Sequence, residues 1–129
     1  MRLEFPYLQF REKYLPMIPL ALRGKERIET IGLVDSGAAF SIFKPSFADI
    51  LGINIRRGER VLAEGISGRI QVDVHEIEME VEGIQFKCRV GFSPHYSASI
   101  NIIGREGFFH HFIITFDEKH RKVILEENI

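Results

Sequence analysis

The sequence has little that could staple, charge or anchor it. Cysteine occurs once, at Cys88, which excludes an intrachain disulfide and fits a reducing compartment. Lysine and arginine number 17 against 18 acids, a formal net charge of -1. That leaves no overall basic field to hold nucleic acid and no strongly acidic surface. No apolar stretch is long enough to span a bilayer. At the N-terminus, Met1-Arg2-Leu3-Glu4-Phe5-Pro6 breaks any apolar run with charge and proline, so it does not read as a signal peptide. Internal repeats, low-complexity segments and linkers are also missing. The expectation is one soluble, cytoplasmic domain over residues 1–129, long enough for a real core, with no nucleic acid and no membrane as partner.

Metal and thiol chemistry find little foothold. The five histidines show no ligand spacing, and the adjacent His110 and His111 would point in different directions on a helix. No metal and no cofactor is expected. Gly65-Ile66-Ser67-Gly68-Arg69 lacks the second glycine of a nucleophile elbow. Cys88 with His95 raises the idea of a thiol protease, but Cys88 alternates with Phe86 and Val90 and so faces a core, where thiols are inert.

What the chain does have is a carboxylate in an expensive place. In Leu33-Val34-Asp35-Ser36-Gly37-Ala38-Ala39-Phe40-Ser41-Ile42-Phe43, an acid, a hydroxyl residue, glycine and alanine lie between two apolar, β-prone arms. Asp35 therefore sits in a tight turn at a strand end. An ionised carboxylate stranded there costs several kcal/mol, order of magnitude, unless hydrogen-bonded or paired. Ser36 and the N–H groups around Gly37 are the natural donors. A turn aspartate that only caps backbone N–H groups is the plain alternative.

Asp35-Ser36-Gly37-Ala38 resembles the active-site turn of aspartic proteases, and Ser41 matches the second Ser or Thr usual six positions after the acid. Asn101-Ile102-Ile103-Gly104-Arg105 is similar to the family's late signature, where a strand passes behind the catalytic turn and leads into a short helix. Two motifs in order, with a hairpin between them, point to the retropepsin-like, single-lobe branch over nearly the whole chain. The pattern departs at Ala39, where viral relatives carry an acid that contacts the peptide backbone.

Only one Asp-Ser-Gly is present. The resemblance implies a two-carboxylate dyad, so two chains would have to meet on a two-fold axis between their Asp35 residues. It implies an aspartic endopeptidase active as a homodimer, with Asp35, Ser36 and Gly37 catalytic, cutting an extended peptide or protein substrate between apolar side chains. The rival expectation is a non-catalytic peptide-binding or dimeric scaffold module that keeps the fold; a third is a protease latent until its dimer rearranges.

Along the chain, Arg2 to Phe10 and Tyr14 to Leu22 read as a hairpin around Arg11-Glu12-Lys13, with Pro6, Pro16 and Pro19 demoting both strands to edges. Arg27 to Val34 delivers Asp35. Lys44 to Gly52 reads as a short helix with Phe47, Ile50 and Leu51 on its core face. Ile53 and Ile55 read as a brief strand, and Arg56 to Arg60 as a solvated charged turn.

Val61 to Val72 reads as a hairpin with glycines on both sides of its tip. In the family this is the flap that folds over bound peptide, so Glu64, Gly65, Ile66, Ser67 and Gly68 join Ala38 and Ala39 as substrate-binding residues. Ile70, Val72 and Val74 alternate in one phase and Ile77, Met79 and Val81 in the other, which predicts a bulge near His75-Glu76. Ile84 to Phe92 is the cleanest strand. Arg105 to His111 reads as a helix, and Phe112 to Phe116 with Val123 to Leu125 as a closing hairpin. The charge of Glu126-Glu127-Asn128-Ile129 argues against a central strand there. Many short strands and two short helices predict a mainly β chain, a closed β-barrel of the acid-protease type.

Overall fold

A computed structural model describes residues 1–65 and 68–129. The described chain is mainly β. Its strands are β1 (Arg2–Pro6), β2 (Leu8–Phe10), β3 (Lys13–Leu15), β4 (Met17–Arg23), β5 (Arg27–Val34) and β6 (Ser41–Phe43), then β7 (Glu59–Gly65), β8 (Gly68–Val81), β9 (Ile84–Phe92), β10 (Asn101–Ile103), β11 (Phe112–Asp117) and β12 (Lys122–Glu127). A short helix, α1, spans Ser46–Leu51. Among the described residues no helix is long and apolar enough to cross a membrane.

Pairing runs β4, β5, β10, β6, β9, β8, and β8 returns to β4 over Ala21–Arg23. Six strands thus close a ring, with β7 attached to the first half of β8. Inside it lies the main core, with Ile18, Leu22, Phe43, Met79, Val90, Phe92 and Ile103 fully buried. A second sheet, ordered β1, β12, β11, caps this core with Phe5, Phe112, Val123 and Leu125. Phe112 meets Phe86 edge to face, with ring centroids 5.3 Å apart.

The first predicted hairpin survives only at its tip. Leu8 to Phe10 pair with Lys13 to Leu15, but the outer arms part at Tyr7 and Pro16 and enter different sheets. Pro16 has no N–H to continue a ladder, and it restrains the residue before it. The edge expectation holds for Pro6, on an outer strand, and for Pro19, which lies where β4 pairs only with β5. It fails for Ala21–Arg23, which pair on both sides and shut the ring.

The predicted bulge in β8 is absent. Pairing with β9 runs unbroken from Asp73 to Val81, and pairing with β7 runs unbroken from Gly68 to Val74. The change of hydrophobic phase comes from two cores. Val72 and Val74 join a small cluster with Phe40, whereas Ile77, Met79 and Val81 face the main core from the other side of the same strand. The Glu82-Gly83 turn is as expected: both residues have positive φ, 48° and 82°, which a two-residue hairpin requires.

Other local readings are corrected by packing. Helix α1 buries Ala48 and Leu51 with Phe47 against the core, while Ile50 stays exposed. The expected strand at Ile53 and Ile55 is instead a 3₁₀ turn, Ile55–Arg57, because the Asn54 side chain accepts from Arg56 N and starts a turn. The expected helix after β10 is present at Arg105–Phe109 but kinked, with non-helical backbone at Glu106 and Gly107. Finally, β12 is a central strand and includes Glu126 and Glu127. Its charge is tolerated because Glu126 stays exposed on the sheet's outer face and Glu127 lies 3.8 Å from His111 Nε2.

Glu80 ties the seam where β8 meets β4. Its carboxylate accepts from Arg27 Nη2 at 2.9 Å and from Arg23 Nη1 at 3.0 Å, and these bonds hold its pKa below the ordinary carboxylate value. A carboxylate with a depressed folded pKa adds stability above its unfolded pKa and loses it as pH falls through the folded one. Wild-type protein should therefore lose more stability between pH 7 and pH 3 than Glu80→Gln does, read as the shift of the urea midpoint in each (the pH endpoints are rough, chosen to span carboxylate titration). An equal shift in both proteins would remove Glu80 from this role.

Candidate active site

The site is built on a strand inserted between the two arms of a turn. Parallel pairing sets Asn101, Ile102 and Ile103 of β10 beside Gly32, Leu33 and Val34 of β5, and antiparallel pairing sets Ile102 beside Ile42 of β6. The chain between β5 and β6 therefore has to loop over the end of β10. Asp35 stands where it leaves β5. Its N–H donates to Ile103 O at 2.9 Å, which anchors the turn to the strand behind it.

Within the turn, Ala38 N donates to Asp35 O at 3.2 Å, and Gly37 N donates to Asp35 Oδ1 at 2.8 Å. One carboxylate oxygen is thus engaged locally. Among the described residues, Oδ2 accepts no hydrogen bond. Asp35 is half-buried, and Ser36 and Gly37 are exposed. The three residues read as catalytic lie together in one hydrogen-bonded turn.

Two clips hold β10 in place. Ser41, fully buried, accepts from Gly104 N through Oγ at 3.0 Å. Asn101, also buried, donates through Nδ2 to Thr30 Oγ1 and Ile31 O, both at 3.1 Å, and accepts from Lys44 N through Oδ1 at 3.0 Å. Gly104 itself is needed for space: a Cβ there would lie 2.3 Å from Phe40 O. Beyond it, Arg105 N donates to Ala38 O at 2.9 Å and Glu106 N to Ala39 O at 2.7 Å. The carbonyls of Ala38 and Ala39 are therefore occupied by the chain's own backbone.

A cleft of about 450 Å³ opens from Gly37 toward β7. Of the residues read as substrate-binding, Ala38, Ala39 and Glu64 line it. Gly65 and Gly68 pair across the far end of the β7–β8 hairpin, and Ile66 and Ser67 lie outside the described residues. Ile42, Val61 and Ala63 give the cleft an apolar side. Its other end is charged. Arg89 Nη1 donates to Glu106 at 2.9 Å and Arg89 Nη2 lies 3.1 Å from Glu59, tying the base of the hairpin to the turn after β10. Arg105 also lines the cleft, with no acid within ion-pair distance among the described residues. Sequence reading gave Arg89 no role and took Asn101 and Arg105 only as the ends of the late motif, because the contacts their side chains make come from segments far away in the chain.

The expectation that Cys88 faces a core is met. Cys88 is buried beside Met79, and burial pushes its thiol up to about 12. The thiolate needed for cysteine catalysis is thus not formed near neutrality. Among the described residues no group of three or more His, Cys, Asp or Glu could hold a metal ion. No model of a known protein family matches the chain, and no curated protein matches it.

Ser41→Ala strands the buried Gly104 N–H and should cost about 1–3 kcal/mol in urea denaturation. Gly104→Ala should cost about as much or more, because the obstructing atom is backbone and cannot swing aside. Cys88 in native protein should resist a thiol reagent at pH 8 and react once the chain is unfolded (a rough pH chosen near the ordinary thiol pKa). A raised folded pKa means that the stability Cys88 contributes is intact below the ordinary thiol value and is lost as pH climbs toward about 12. Fast native labelling would contradict this burial.

Proposed function

We propose that the chain is a retropepsin-like aspartic endopeptidase, a closed β-barrel that works as a homodimer and hydrolyses peptide bonds in an extended peptide or protein. One observation carries the reading. Asp35 ends a strand in a turn braced from behind by β10, with Oδ1 engaged by Gly37 N–H and Oδ2 without a partner among the described residues. A carboxylate oriented through one oxygen and open at the other is what water activation needs. The cleft that starts at Gly37 and runs along β7 supports the same reading, with an apolar side for the residues flanking the scissile bond.

In this reading each chain contributes one Asp35, and the two carboxylates share a proton and a water across a two-fold axis. The ionised one removes a proton from water as it attacks the carbonyl carbon; the protonated one donates to the carbonyl oxygen. No covalent intermediate forms. Ser36, exposed beside each carboxylate, braces the pair by hydrogen-bonding across the axis. The setting is cytoplasmic.

A second reading has its own support. The bond from Gly37 N to Asp35 Oδ1 is also what a purely structural aspartate makes in a turn. A peptide-binding or scaffold module would keep this geometry and cut nothing.

Asp35→Asn separates the two. Asparagine keeps an oxygen for Gly37 N–H, so fold and dimer should persist while peptide cleavage falls at least about 100-fold, the range for losing a general base. Wild-type activity should trace a bell against pH, its limbs belonging to the coupled pair. Undiminished turnover in Asp35→Asn, measured on purified protein with a peptide library, would remove Asp35 from the mechanism.

A further inference from the structure

The charges along the cleft are unevenly matched. Every acid in its lining lies within ion-pair distance of an arginine: Glu106 and Glu59 share Arg89, at 2.9 and 3.1 Å, and Glu64 is 3.4 Å from Arg69 across the β7–β8 hairpin. Arg105 lines the same cleft, and among the described residues no acid pairs with it and its side chain donates no hydrogen bond. Its root is fixed by the main chain. Arg105 N donates to Ala38 O at 2.9 Å, and Ala38 N donates to Asp35 O at 3.2 Å, so the residue is tied to the turn that bears Asp35. Beside it, Ala39 offers only a methyl group, and its carbonyl already accepts from Glu106 N.

On an open surface an unpaired arginine is simply solvated. Arg105 instead shares a cleft with the apolar side formed by Ile42, Val61 and Ala63, where a bound peptide displaces water and strengthens any charge pair it makes. Its planar fork of N–H donors matches the geometry of a carboxylate. Elsewhere in the cleft a carboxylate meets Glu59, Glu64 and Glu106, and Asp35 beyond Gly37, all of its own sign. Attraction is therefore confined to the place that Arg105 reaches.

We infer that Arg105 determines specificity: it binds a carboxylate of the peptide, carried by an Asp or Glu side chain near the bond that is cut or by a free C-terminus seated in the cleft. The inference rests on the proposed function, which makes this cleft the path of the peptide.

The test uses peptides that differ by one charge. In one set, with both ends blocked, Glu replaces Gln at each position around the scissile bond in turn; a second pair differs only in a free or an amidated C-terminus. Wild-type kcat/KM should favour the acid at least about tenfold in one place, the scale of a charge-assisted hydrogen bond. A preference inside the blocked set identifies a side chain as the source, and one in the second pair identifies the C-terminus. Arg105→Ala should bring the ratio of acid to neutral close to parity, and Arg105→Glu should turn the preference toward Lys. Arg57→Ala removes the same charge from the exposed turn Ile55–Arg57, outside the cleft, and should keep the wild-type ratio. Circular dichroism checks that each variant is folded. Cleavage with no preference at any position or at the terminus, or an undiminished ratio in folded Arg105→Ala, overturns the inference and leaves the protease reading standing. If wild-type protein cuts none of the peptides, fluorescence anisotropy on the same set decides. Tighter binding of the acidic member that is lost in Arg105→Ala upholds the inference while the protease reading falls; no such difference overturns the inference as well.

Discussion

The candidate site depends on one packing constraint: β10 has to fit between β5 and β6 with backbone almost touching backbone. Gly104 allows it, since any side chain there would collide with the main chain of Phe40. Once β10 is seated, it takes the Asp35 N–H through Ile103 O and sends Arg105 and Glu106 to hold the carbonyls of Ala38 and Ala39. The turn bearing Asp35 is thus clamped at its start and at its end. The backbone that carries the carboxylate is held on both sides, and Oδ1 accepts from Gly37 N–H.

The polar clips under this turn show how the buried start and end of β10 are satisfied. Ser41 and Asn101 lie inside the protein, and their side chains satisfy three backbone groups around the ends of β10, Gly104 N, Lys44 N and Ile31 O. Arg89 extends the same connection outward, linking β9 to the start of β7 and to the turn after β10. The hairpin over the cleft and the turn below it are therefore joined at one end by ion pairs and separated at the other by an apolar wall. Exposed ion pairs add little stability, so their effect here is to set the position of the hairpin base.

Some features were legible along the chain because they are local. Alternation from Ile84 to Phe92 specified a strand, Glu82-Gly83 its turn, and Pro45 and Gly52 the limits of a short helix. The Asp-Ser-Gly turn and the Ile-Ile-Gly strand were also visible, and the structure sets them side by side. What misled was pattern produced by distant neighbours. The phase change in β8 looked like a bulge because two different cores lie on its two faces. Tyr14 to Leu22 looked like one strand because Pro16 was read as marking an edge, whereas it marks the break between two sheets. Glu126 and Glu127 looked unfit for a central strand because the exposure of that sheet's outer face is a property of the assembled fold.

By itself, then, the sequence determined the strand-forming segments, the turn residues, and the type and spacing of the groups that make the turn chemically interesting. These follow from backbone preferences and side-chain alternation, which act over a few residues. Only tertiary structure decided that β8 would close on β4, that β12 would lie between β1 and β11, and that Ser41 would meet Gly104. Those pairings join segments tens of residues apart, and they are chosen by which arrangement buries the most apolar surface while leaving the fewest backbone groups without partners.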